Sequence, residues 1–93
     1  MSEEKLIAIK QLEKEIREQK AEFQKIIALS DKRAMKRKLM SLLKKCHSTQ
    51  YRSVELGNEP PYDISIQQQI WDLRKEVLDI CNMIINKFNE IEK

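Results

Sequence analysis

The chain has 93 residues, with 18 Lys or Arg against 15 Asp or Glu for a net charge of +3, one Gly, two Pro and 5% aromatics. Domains commonly run to about 100–150 residues, so residues 1–93 are expected to form a single domain. One glycine excludes the Gly-rich loops of nucleotide-binding folds, the scarcity of turn residues excludes a many-stranded β fold, and no apolar run of about 18 residues is available to span a bilayer.

A first helix is predicted over residues 3–29. This stretch has neither Gly nor Pro, and it balances six acidic with six basic side chains. Ile9, Leu12, Ile16, Phe23 and Ile26 fall on alternating steps of three and four, with Gln19 in one slot, which is the seam of a coiled-coil helix. The seam is narrow, and an isolated helix is marginal in water, so this one needs a partner.

The seam then loses phase. A new one starts at Met35, Leu39, Leu42 and Cys46, two residues out of register. Ser30 before Asp31 reads as an N-cap, and Leu29 is placed to staple against Ala34. A tight turn is therefore expected near residues 29–31, followed by a second helix over 31–56 in which Tyr51 and Val54 extend the stripe. The rival is one bent helix of roughly fifty residues, since no Gly or Pro forces a break there.

Residues 30–54 carry a net charge of +7. Lys32, Arg33, Lys36, Arg37, Lys38, Lys44 and Lys45 lie in a run with no acid. At about 100° per residue most of them cover an arc opposite the apolar stripe, with Lys38 and Lys45 on its flank. They are the candidate binding surface for an acidic protein or for a nucleic-acid backbone.

Residues 57–63 form the predicted linker. Gly57 stands where the left-handed residue after a helix belongs, with Pro60 and Pro61 just beyond. Tyr62 is expected to cover the end of the bundle.

A third helix is predicted over 64–92, with Ser65 and Gln68 spaced as a capping box. Residues 55–93 carry a net charge of −4. Ile66, Ile70, Leu73, Val77, Ile80, Ile84 and Ile91 make one seam, and Trp71, Leu78, Cys81, Ile85 and Phe88 make a second stripe beside it. A helix apolar over so wide an arc packs against two neighbours. Trp71, Leu78, Ile85 and Phe88 are the candidate protein interface, with Trp71 as the anchor; Met83 and the Ile84–Ile85 pair are read the same way.

These elements predict an all-α fold, either an antiparallel three-helix bundle or a long helical hairpin with coiled-coil character. The lone His47, near a helix end, has no partner set for a metal, and no nucleophile–base pair is apparent. No enzyme activity, cofactor, metal or small-molecule substrate is expected, and Cys46 and Cys81 are expected to be packed thiols of a reducing compartment, the cytoplasm or nucleus. The expected function is a helical protein–protein interaction module, a small subunit or regulator of a larger assembly that binds a protein partner, a second copy of itself or both. The alternative is a nucleic-acid-associated protein that grips phosphates through residues 32–45. A membrane partner is not expected.

Overall fold

The computed structural model describes residues 2–92. Three helices, α1 (Ser2–Ile27), α2 (Lys32–Gly57) and α3 (Ile64–Glu92), pack pairwise into an antiparallel bundle 46 × 18 × 16 Å in extent. No strand occurs among the described residues. The bundle is thus all-α, and the helical break at residues 28–31 makes α1 and α2 separate helices.

Each helix contributes one seam to a common core. On α1 it is Ile9, Leu12, Ile16, Phe23 and Ile26, on α2 Met35, Leu39, Leu42, Cys46 and Leu56, and on α3 Ile70, Leu73, Val77, Ile80 and Ile84. Each such side chain contributes roughly 1.5–3 kcal/mol by leaving water. Isoleucine is a weaker helix former than the Glu, Lys and Gln of α1, and α3 holds seven of them. Burial against the other two helices, rather than intrinsic propensity, therefore holds α3 helical.

The seam of α2 continues through Thr49 and Ser53 to Leu56, all buried. Tyr51 is exposed and Val54 only half-buried, so they do not extend it as expected. Two hydroxyls replace apolar residues in the seam because their polar groups are satisfied inside. Ser53 Oγ donates to the Gln50 carbonyl at 2.6 Å and Thr49 Oγ1 to the Lys45 carbonyl at 3.0 Å. Gln19 Nε2 donates to Thr49 Oγ1 at 2.8 Å, and Cys46 Sγ to Gln19 Oε1 at 3.5 Å. This buried polar layer fixes the register of α1 against α2, since a shift of one turn would leave its members unpaired. Burial, with Cys81 close by, pushes the Cys46 thiol up to about 12.

Three end signals resolve differently from the sequence reading. Asp31, not Ser30, caps α2, accepting from the Arg33 N–H at 3.0 Å. Asp63 caps α3: its carboxylate accepts from the Ser65 hydroxyl at 2.6 Å and the Ser65 N–H at 2.9 Å, which holds the Asp63 carboxyl below the usual carboxylate range. Gln68, expected in a capping box, donates instead to Asp72 one turn on. Aspartate wins at both starts because a charged acceptor also complements the helix dipole.

Gly57 is not a left-handed cap. It is the last residue of α2, no glycine has positive φ, and Asn58 closes the helix at φ −93°. A Cβ built on Gly57 would meet nothing closer than Ile70 Cγ2 at 3.7 Å, an ordinary contact.

The linker is held by Lys5, which lies one step ahead of Ile9 in the α1 seam and is only 3% exposed. Its ammonium donates to the carbonyls of Glu59 and of Pro61 (2.8 Å) and to Gln67 Oε1 at 3.3 Å, and it sits 5.6 Å from the centre of the Tyr62 ring. Gln67 Nε2 in turn donates to the Gly57 carbonyl at 2.9 Å. Three donors thus meet three acceptors, which is how a lysine comes to be buried without a carboxylate. Tyr62 does not cover the bundle end as expected. It is exposed, and its hydroxyl donates to the Asn58 carbonyl at 2.9 Å.

Gly57→Ala is expected to stabilise the fold by about 0.4–1 kcal/mol, because the site is helical and roomy and alanine restricts the unfolded chain. Urea unfolding followed by circular dichroism measures it.

Candidate functional site

Three helices create three grooves, and they differ in chemistry. The α1–α2 groove is spanned by charge: Arg52 grips Glu15 with both terminal nitrogens, and one heptad away Lys45 meets Glu22 at 3.2 Å. The α1–α3 groove is bridged by Lys20 and Glu76 at 3.4 Å, and Glu13, Arg17 and Asp72 line the same stretch. The α2–α3 groove has one ion pair, Lys36 to Glu92 at 2.6 Å, and it lies at the groove's end.

Along the rest of the α2–α3 groove, exposed apolar side chains stand among polar and cationic ones such as Gln67, Gln68 and Arg74. Ile64, Trp71, Leu78 and Ile85 are spaced by seven and so share one strip of α3 in the bundle's heptad geometry. Their exposures are 87%, 50%, 42% and 43%. Facing them on α2, Arg33, Met40, His47 and Val54 make a second strip, also spaced by seven. An open cavity of about 520 Å³ joins the two strips, with Val54 and Gly57 on one side and Ile64, Trp71 and Arg74 on the other.

Trp71 and Leu78, expected on a partner-facing edge, thus lie on the open strip together with Ile85. Phe88, expected beside them, is half-buried against the core, and Cys81 is fully buried. Ile84 is wholly enclosed, so it belongs to the core and not to the edge; Met83 lines a small cavity on the α1 side instead. Two members of the open strips were not singled out from the sequence, Ile64 and Met40. The signal for Ile64 was its position seven residues before Trp71.

The seven cations of residues 32–45 do not form one patch. Lys38 and Lys45 are turned to the α1 side, where Lys45 pairs with Glu22 and Lys38 shares a small cavity with Glu22 and Lys25. Lys36 is taken by Glu92. Lys32, Arg33, Arg37, Lys38 and Lys44 form no ion pair among the described residues. The acidity of α3 does little to neutralise them. Asp72 and Glu76 line the α1–α3 groove, Asp79 follows Asp72 by one heptad, and Glu90 pairs within its own helix with Lys87 at 3.4 Å.

Trp71 is flanked by two further cations. The Arg74 guanidinium sits 5.3 Å and the Lys75 ammonium 5.9 Å from its ring centre, both within cation–π range. Arg74 Nε is buried without a hydrogen-bond acceptor. Among the described residues no three His, Cys, Asp or Glu side chains gather as a metal site would require, and no helix is long and apolar enough to cross a membrane.

Compared with known proteins, the chain matches no family model, no curated sequence and no solved structure.

Arg37 and Lys44 form no ion pair among the described residues. Replacing both with Gln is expected to change unfolding stability by less than about 0.5 kcal/mol, as read from urea midpoints at constant m-value.

Proposed function

We propose that the protein is a non-enzymatic helical interaction module, a small subunit or regulator that docks another protein along its α2–α3 face. The observation that carries this reading is the strip Ile64, Trp71, Leu78 and Ile85, spaced by seven and left exposed along the α2–α3 groove. Exposed apolar surface of this regularity is costly in water and is the usual mark of an interface. A tryptophan with an arginine against its ring has the composition enriched at energetic hot spots.

The rims of the strip favour a different protein over a second copy of the chain. Arg33, Arg37 and Lys44 on one side and Arg74 and Lys75 on the other have the same sign, so face-to-face pairing of two copies would bring like charges together. Phosphate-backbone binding through residues 32–45 is the weaker reading. The cations diverge over three sides of α2, and two of the seven are already paired.

The test is affinity capture with mass spectrometry, comparing the native chain with a Leu78→Glu, Ile85→Glu variant whose helicity and melting have been checked. The expected result is a partner retained by the native chain and depleted at least about tenfold by the variant, the loss expected when hot-spot side chains are removed. Identical retention by both would sink the proposal.

A further inference from the structure

Along its length the α2–α3 groove is rimmed by cations on both helices. On α2, Arg37 and Lys44 flank the Arg33–Met40–His47–Val54 strip at steps of three or four residues, the spacing of neighbours on a helix surface. On α3, Lys75 and Arg74 flank Trp71. Of the acids at the ends of the groove, Glu92 is paired with Lys36, while Asp63 accepts from Ser65 and keeps its charge beside Ile64. The remaining acids of α3 either line the α1 side or pair within the helix.

We infer that the groove takes an acidic amphipathic α-helix of another protein, with its apolar seam on Trp71, Leu78 and Ile85 and its carboxylates against the cationic rims. The inference rests on the docking function proposed above and names the chemistry of the partner. The open strip runs from Ile64 to Ile85, about 32 Å at ~1.5 Å per residue, so it accommodates about six turns of helix. Its seven-residue period matches the ridge spacing of a docked helix, as a fourth member added to the bundle. The cavity beside Trp71, about 520 Å³, has room for a large apolar side chain from that helix. Carboxylates alongside that side chain come within reach of the terminal nitrogens of Arg74, whose Nε has no acceptor in the free bundle.

Other occupants fit the geometry less well. A second copy would set cation against cation. A membrane favours apolar groups that protrude from a convex face, whereas Leu78 and Ile85 are more than half covered in a trough between two helices. Single-stranded nucleic acid calls for several stacking aromatics along a basic track, and this strip has only Trp71.

Trp71 is the only tryptophan, so its emission reports directly on the groove. The experiment titrates the full chain with two tryptophan-free helical peptides of about three heptads that share one Leu/Ile seam, one flanked by Glu and the other by Lys. The expected result is a saturable blue shift of Trp71 with the Glu-flanked peptide only. Its affinity should fall about tenfold between about 50 mM and 500 mM salt, because the rim pairs are screened. In the Arg33→Glu, Arg37→Glu, Lys44→Glu variant the preference should move to the Lys-flanked peptide.

Equal affinity for both peptides, lost in Leu78→Glu, would overturn the acidic preference and leave the docking function standing. The absence of any saturable shift with the Glu-flanked peptide would overturn the inference. So would a shift produced instead by phosphatidylserine vesicles or single-stranded RNA. A dimer in sedimentation that dissociates on Leu78→Glu would overturn it as well, by assigning the groove to a second copy.

Discussion

The third helix is apolar over a wider arc than its two neighbours can cover, and the rest of the molecule is arranged around that imbalance. The seams of α1 and α2 are narrow, one side chain per half-heptad, and together they enclose Ile70, Leu73, Val77, Ile80 and Ile84. Cys81 and Phe88 are drawn to the edge of the core. The next strip around the helix, Ile64 to Ile85, has nothing left to pack on. A bundle of three helices buries two sides of each member, so apolar residues on the third side of α3 do not contribute to the fold.

Electrostatics reinforces the same division. Three ion pairs join α1 to its neighbours, and the Glu15–Arg52 and Glu22–Lys45 pairs repeat at a heptad interval beside the buried Gln19–Thr49 contact. Exposed pairs are each worth only about 0.2–1 kcal/mol. Their significance lies in register, since shifting α1 by one turn would break both pairs and the buried layer together. The modest net charge of +3 results from cancellation between helices that do not meet charge to charge. Most acids of α3 look toward α1, and the cations of α2 divide between the α1 side (Lys38, Lys45, Arg52) and the outward and groove sides. The one exception, Lys36 with Glu92, closes the groove's end.

Much of the fold was legible in the sequence because the heptad period is strict. Every seam residue expected on α1 is buried, and the α3 seam runs in the expected phase. What escaped the pattern were polar residues that occupy seam positions. Lys5, Thr49 and Ser53 keep the step of three and four, yet a hydropathy reading passes over them: Thr49 and Ser53 are satisfied by carbonyls of the preceding turn, and Lys5 by acceptors distant in the chain. Lys5 is buried because the linker turns two carbonyl oxygens toward it and α3 adds the Gln67 side-chain oxygen. The caps misled for a related reason: Ser30 and Asp31, or Asp63 and Ser65, lie within two residues of each other, and local geometry decides between them. In the site, Trp71, Leu78 and Ile85 were visible as a second stripe. The openness of that stripe was not, because it depends on which side of α3 each neighbour takes.

The central claim is that Trp71 lies in an uncovered, cationic groove of the folded chain. Quenching of its fluorescence by charged quenchers tests this most directly, on dilute native protein with no partner added. The account predicts red-shifted emission, with iodide quenching several-fold more efficiently than caesium because Arg74 and Lys75 concentrate anions around the ring. Blue-shifted emission with weak quenching by both ions would show the strip already covered and would contradict the account.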